Sequence, residues 1–163
     1  MPAWRARGSS SGFTLVELLV VMVIIGITLG LATLNAIPSP RQDLENEAKR
    51  IALLLQLARD EAIVRNRLVA FEANGERYRF MVRGDTGWEP VTRDDLLRER
   101  SFKNPPLRLQ LEPSGSGAGS GGPDMLRITF GREPVDRPFV LTLASGANAV
   151  AIRADGVGHF TVE

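Results

Sequence analysis

One ionisable side chain, Glu17, stands between Arg7 and Arg41, inside a run where 18 of the 25 residues from Phe13 to Ile37 are hydrophobic. A carboxylate placed near the middle of a membrane costs up to roughly 2.5–3.5 kcal/mol and marks a functional residue by default. A second reading is local. Thr14 and Glu17 have the S/T-x-x-E spacing of a capping box, in which the carboxylate satisfies backbone donors at a helix start. Glu17 lies near one end of the run, so it could also reach the interface. On these residues alone the readings stand level.

Other reactive chemistry is sparse. The chain has no Cys, which excludes a disulfide framework, a thiol nucleophile and a thiolate metal site. His159 is the sole histidine and is expected to be structural or merely exposed. No Ser, Asp or Glu spacing pairs a nucleophile with a base or sets two catalytic carboxylates together. Asp155-Gly156 reads as a turn, because the repeated oxygen ligands of a calcium loop are missing. Residues 113–123, P-S-G-S-G-A-G-S-G-G-P, form an uncharged flexible loop without the Lys and Ser/Thr of a phosphate-binding loop. The expectation is a protein with no enzymatic activity, cofactor or metal.

The elements that position Glu17 come next. About 25 helical residues at 1.5 Å each exceed a hydrocarbon core of about 30 Å, so residues 13–37 are expected to span a membrane. Arg5 and Arg7 precede the span, which favours a cytoplasmic amino terminus with the bulk of the chain on the other side. A cleaved secretory signal fits less well: the run exceeds the usual ~7–15 apolar residues, and Leu34-Asn35-Ala36 is a poor cleavage site. Beyond residue 40 the chain holds 18 basic and 18 acidic side chains, a neutrality that gives no sign of a nucleic-acid partner.

Pro38 and Pro40 predict a bend, and Ser39-Pro40-Arg41-Gln42 offers a capped helix start. Leu44, Ala48, Ile51, Leu55, Ala58 and Ala62 then form one apolar face, widened by Leu53, Leu54 and Leu57, on an amphipathic helix within residues 38–67. The helix charges, with Glu45/Lys49 and Glu61/Arg65 as i,i+4 pairs, are expected on its solvated face. At Val69 the period becomes two. Asn74-Gly75 predicts a two-residue hairpin turn, with Phe71 opposite Tyr78, Val69 opposite Phe80 and Glu72 opposite Arg77. Later strands are expected at 107–111, 126–130, 139–143, 150–154 and 159–162. A three-residue loop around Asp155-Gly156 would set Ile152 opposite Phe160. Asp94–Arg100 reads as a short helix or exposed edge, and Trp88 as a cover over the core.

Gly12-Phe13-Thr14-Leu15-Val16-Glu17, followed by an apolar helix, closely resembles the type IV prepilin signal. The resemblance implies that residues 1–12 are a leader, cut between Gly12 and Phe13 by a prepilin peptidase, with N-methylation of Phe13. It also implies a role for Glu17 and Phe13 in subunit assembly. Cleavage leaves an amine on Phe13 in apolar surroundings, and a carboxylate on an adjacent subunit would neutralise it.

A wider resemblance covers Ala58–Arg67, the following hairpin, Trp88-Glu89-Pro90-Val91 and Arg127–Leu143. These segments look like the general secretion pathway protein H family, the minor pseudopilins of type II secretion, and their relatives the FimT minor pilins. The implied fold is α+β: a long N-terminal hydrophobic helix continues or kinks into an amphipathic helix. That helix packs on an antiparallel β domain over 68–163, arranged as a two-sheet sandwich. The implied role is a structural subunit near the tip of a periplasmic pseudopilus. Its partners would be other minor pseudopilins, the major pseudopilin, the peptidase, the inner-membrane secretion platform and the lipid bilayer. The alternative is a minor pilin for pilus assembly, adhesion or DNA uptake.

Overall fold

A computed structural model describes residues 13–34, 39–92, 94–113, 125–133 and 135–163, leaving aside the side chains of 31–34. Gly12, the expected bend around Pro38 and most of the expected 113–123 loop lie outside the described residues. The chain divides into two units, Met1–Pro38 and Ser39–Glu163.

The first unit contains α1, Leu15–Leu34. Apolar side chains surround it, and those described are exposed, from Leu15 through Val23 to Leu29. Such a helix has no polar stripe to give to water. Among the described residues no helix is long and apolar enough to cross a membrane, and the expected 13–37 span runs past those residues.

The second unit is built on α2, Pro40–Val64. Ser39 Oγ accepts the Gln42 N–H at 3.2 Å, and Pro40 takes a first-turn position where its missing N–H costs nothing. The helix stops because Asn66 turns left-handed, with φ 53°, and Arg67 N–H closes back on the Ala62 carbonyl at 3.0 Å. All six residues of the expected apolar face are buried, and so is Leu54. Leu53 is a correction to that face. Two residues from both Ile51 and Leu55, it lies about 200° round the helix from each and is exposed.

Among the described residues nine short strands follow in two antiparallel sheets. The first has the order β3 (Trp88–Pro90), β2 (Arg77–Arg83), β1 (Val69–Ala73), β6 (Leu126–Phe130), and β4 (Arg100–Ser101) also pairs with β2. The second runs β5 (Arg108–Glu112), β7 (Phe139–Ser145), β8 (Asn148–Ala154), β9 (Phe160–Val162). Alternation sends Val69, Phe71, Tyr78, Phe80, Ile128 and Phe130 from the first sheet into the core, and Leu141, Leu143, Val150 and Ile152 from the second. α2 packs against both sheets, so one core serves all three parts. The fold is α+β.

Both predicted hairpin registers are displaced by two residues. Phe71 faces Phe80 and Val69 faces Val82, while Glu72 faces Arg79 rather than Arg77. Asn74 is not in the turn but at its mouth. Its N–H bonds to the Arg77 carbonyl at 3.0 Å, and its Oδ1 accepts the N–H groups of Glu76 and Arg77, both at 2.9 Å. The two-residue loop is therefore Gly75-Glu76. The last hairpin repeats the displacement: Ile152 faces Val162 and Ala154 faces Phe160, around a three-residue loop of Gly156, Val157 and Gly158. Asp155 Oδ1 accepts Val157 N–H at 2.8 Å and His159 N–H at 3.0 Å. A side chain that bonds backbone two residues ahead draws the turn forward by one position. A register sum shifted by two keeps every side chain on its expected face.

Gly156 shows why this turn cannot slide back. Its φ is +82°, a Cβ there would lie 2.3 Å from the Asp136 carbonyl oxygen, and the Asp136 backbone N–H donates to Gly156 O at 2.7 Å. Gly156→Ala is expected to lower folding stability by about 2 kcal/mol or more, from left-handed strain plus the backbone clash. Urea unfolding of the two proteins measures it, and an unchanged midpoint would contradict the tight packing of β8–β9 on the segment before β7.

Candidate functional site

Of the three residues expected to carry function, Gly12 lies outside the described residues, and Phe13 and Glu17 frame the start of α1. Phe13 precedes the helix and its ring is exposed. Thr14 caps it: the Glu17 N–H reaches Thr14 Oγ1 at 3.2 Å and Thr14 O at 3.1 Å. This is half of a capping box. In the other half the Glu17 carboxylate would accept the Thr14 N–H, yet that carboxylate makes no hydrogen bond or ion pair among the described residues.

The contrast with Thr28 is informative. Its hydroxyl donates back to the carbonyls of Ile24 and Ile25, at 2.9 and 3.0 Å, and so needs nothing from outside the helix. Among the described side chains of α1, Glu17 is the polar group whose need is not met within the helix. A carboxylate in the first turn is favoured by the helix dipole, but only modestly, by about 0.3–1 kcal/mol. The site can therefore accept a cation supplied by another group, and Phe13 would expose an amine four residues away if it became the first residue.

The remaining candidates have structural surroundings. His159 Nδ1 lies 2.6 Å from Asp155 Oδ2 on the surface of the β8–β9 turn, and the bond from His159 holds the Asp155 carboxyl down at about 2. Trp88 covers a charge cluster rather than a purely apolar core. Arg127 and Arg83 lie 5.1 and 5.8 Å from its ring centre. Beside it, fully buried Glu72 binds Arg79 through Nε at 2.8 Å and Arg127 through Nε at 2.7 Å. Among the described residues no three His, Cys, Asp or Glu side chains group as a metal set.

The chain matches the family described as type II transport protein GspH over residues 47–158, two-thirds of its length. It belongs to that family. The match runs from α2 to the β8–β9 turn, the unit in which one helix serves two sheets. Residues 7–33 separately match the prokaryotic N-terminal methylation motif, a stretch that includes Gly12, Phe13 and Glu17.

Two curated relatives are described as type II secretion system protein H. A type II secretion system protein H of Pseudomonas aeruginosa is 34% identical over 142 residues, 85% of this chain and 78% of the relative. One from Aeromonas hydrophila is 33% identical over 174 residues, covering 94% and 93% of the two chains. Among solved structures, the minor pseudopilin EpsH of Vibrio cholerae superposes with a TM-score of 0.54 at 18% identity, over 72% of this chain and 93% of that one. The solution structure of E. coli GspH gives 0.54 at 19% identity, over 76% and 91%. At such identities the structures show that the fold is shared.

Within the family's unit, the helix charges depart from the solvated face expected of them. Glu45 pairs with Arg41 at 3.1 Å rather than with Lys49, whereas Glu61 does pair with Arg65. Glu47 is buried, a correction that its spacing could have supplied, since it lies three residues after Leu44 and four before Ile51. Its Oε1, the Tyr78 hydroxyl and Arg100 Nε are buried without hydrogen-bond partners among the described residues. Burial raises the Glu47 carboxyl above its ordinary value of 4.5, against the pull of Arg50, Lys103 and Arg100.

A raised folded-state value means that Glu47 favours folding below the ordinary glutamate range and loses that contribution as pH rises through the folded value. Glu47→Gln, neutral at every pH, is expected to stabilise the protein at pH 7 by about 1 kcal/mol. The gain should shrink to nothing as the pH falls below about 4.5. Thermal melts of both proteins across this range check the sign; a Gln variant less stable at pH 7 would refute it.

Proposed function

We infer that this chain is a structural subunit near the tip of a periplasmic pseudopilus, anchored in the inner membrane before assembly. Family membership makes it a minor pseudopilin of type II secretion, with no enzymatic role known for that family. The further reading concerns how it assembles. A prepilin peptidase removes residues 1–12, the new amine of Phe13 is methylated, and residues 13–37 act first as a single membrane span. The amino terminus then lies in the cytoplasm and residues 38–163 in the periplasm.

The observation that carries this reading is the Glu17 carboxylate, which makes no hydrogen bond or ion pair among the described residues, on an otherwise apolar helix whose side chains are exposed. Lipid tails would cover the apolar surface but offer Glu17 no cation. The apolar face of a neighbouring pilin-type helix covers the same surface and brings the Phe13 amine with it. Pairing two charges in a low-dielectric setting removes a penalty of several kcal/mol per lone ion, which selects the stacked register over others. Gly26 and Gly30 lie one helical turn apart with open space where side chains would stand, so helices can approach closely there. The subunit would contact the major pseudopilin and other minor pseudopilins, and its insertion would support export of folded proteins across the outer membrane.

Mass spectrometry of the protein from membranes is expected to find a chain beginning at N-methylated Phe13. Glu17→Ala should insert and be processed normally but fail to enter filaments, with loss of secreted enzymes in a strain relying on it. Normal incorporation of the Ala variant would refute the pairing. Deleting the gene and finding twitching or DNA uptake lost while secretion persists would refute the assignment to secretion.

A further inference from the structure

The strand Arg77-Tyr78-Arg79-Phe80-Met81-Val82-Arg83 sends Tyr78, Phe80 and Val82 towards the core. Alternation places Arg77, Arg79, Met81 and Arg83 on the opposite face of the first sheet. Arg127 shares that face, because it stands opposite Glu72, which in turn stands opposite Arg79. Trp88 joins it opposite Arg83. Among the described residues two carboxylates answer these four guanidiniums: Glu99, 3.1 Å from Arg77, and the buried Glu72 between Arg79 and Arg127. Four against two leaves an excess of two positive charges. Residues 41–163 as a whole are balanced at 18 and 18, so among the described residues the excess is local to this face.

The arrangement of donors is as important as their number. Glu72 Oε2 takes Nε and Nη2 of Arg79, at 2.8 and 2.7 Å, and Oε1 takes the same two nitrogens of Arg127. The Nη1 groups of both arginines are left without protein acceptors among the described residues, on guanidiniums already fixed in direction. Arg83 is exposed and ion-pairs with no described carboxylate, and its guanidinium lies over Trp88. Fixed guanidinium donors with a local excess of charge suit carboxylates, which accept two N–H bonds at once.

We propose that this face docks an acidic, extended segment of a partner protein. Residues two apart on a strand repeat at about 6.6 Å, so carboxylates on one side of an extended chain match the spacing of guanidiniums along β2. Arginine and tryptophan are also the side chains that dominate binding energy at protein interfaces. Nucleic acid fits less well: the chain beyond residue 40 has no net positive charge, and guanidiniums already occupy the Trp88 ring that a base would stack on. The proposal goes beyond filament membership and does not depend on it, because the chain alone can be tested.

The test is fluorescence anisotropy with the full chain in neutral detergent micelles. The probes are a labelled octapeptide alternating Glu and Thr, its Gln counterpart and a single-stranded 12-mer DNA. The Glu peptide is expected to bind at least about tenfold more tightly than the Gln peptide, and to weaken as salt shortens the screening length. Arg83→Glu should weaken it at least about fivefold, while Arg83→Lys, which retains the charge, keeps most of the affinity. Arg153→Glu, on the second sheet, serves as a control for net charge and should leave affinity nearly unchanged. Equal binding of the Glu and Gln peptides, no binding of the Glu peptide, or equal loss in the Arg153 control would overturn the proposal. So would tighter binding of the DNA.

Discussion

One helix face holds the second unit together. Leu44, Ala48, Ile51, Leu55, Ala58 and Ala62 are each at most 4% exposed, and both sheets pack on the helix that carries them. Neither sheet could bury its own inner face alone, since short antiparallel strands need a second layer. The alternation of large and small residues matters here. Three alanines with no exposed surface allow the sheets to approach the helix axis, while Leu44, Ile51 and Leu55 fill the space between. Aromatic side chains complete the packing, with Phe71, Tyr78 and Phe80 clustered on the first sheet and Phe160 of β9 touching both Phe130 and Phe139.

The same principle, applied to α1, has the opposite outcome. Its apolar surface has no layer to receive it among the described residues, and neither does the Glu17 carboxylate. An apolar surface without a protein layer needs lipid or another chain, and a carboxylate within it needs a cation. The two units thus differ: one closes on its own core, and the described apolar side chains of the other are exposed.

Three carboxylate or carboxamide side chains regulate the geometry of the displayed unit. Asn74, Asp94 and Asp155 each accept backbone N–H groups from residues two or more positions ahead, at the mouths of three separate turns. Asn74 and Asp155 were legible as turn residues but their positions in the turn were not, and Asp94 was read only as the start of a short helix or exposed edge. A composition rule places Asn-Gly or Asp-Gly at the centre of a loop. In the folded chain the side chain's reach draws the loop forward, and contacts from elsewhere hold it there. Gly75 O accepts Leu107 N–H at 2.7 Å, and Gly156 is wedged against the Asp136 carbonyl.

The sequence by itself determined the α2 face, seven of the nine described strands to within a residue or two, and the N-terminal methylation motif, because each is written in the spacing of neighbouring residues. Periodicity along a helix or strand is a local property, and so is the Gly12-Phe13-Thr14-Leu15-Val16-Glu17 motif. Tertiary structure decided what depends on residues distant in the chain. Glu72 pairs with Arg127, 55 positions away, and Trp88 receives that same arginine. Glu47 is a buried carboxyl that feels Arg100 and Lys103, more than fifty positions away in the chain. Hairpin register fell between the two: side-chain period fixed the faces, but hydrogen bonds at the loop chose among registers that keep those faces unchanged.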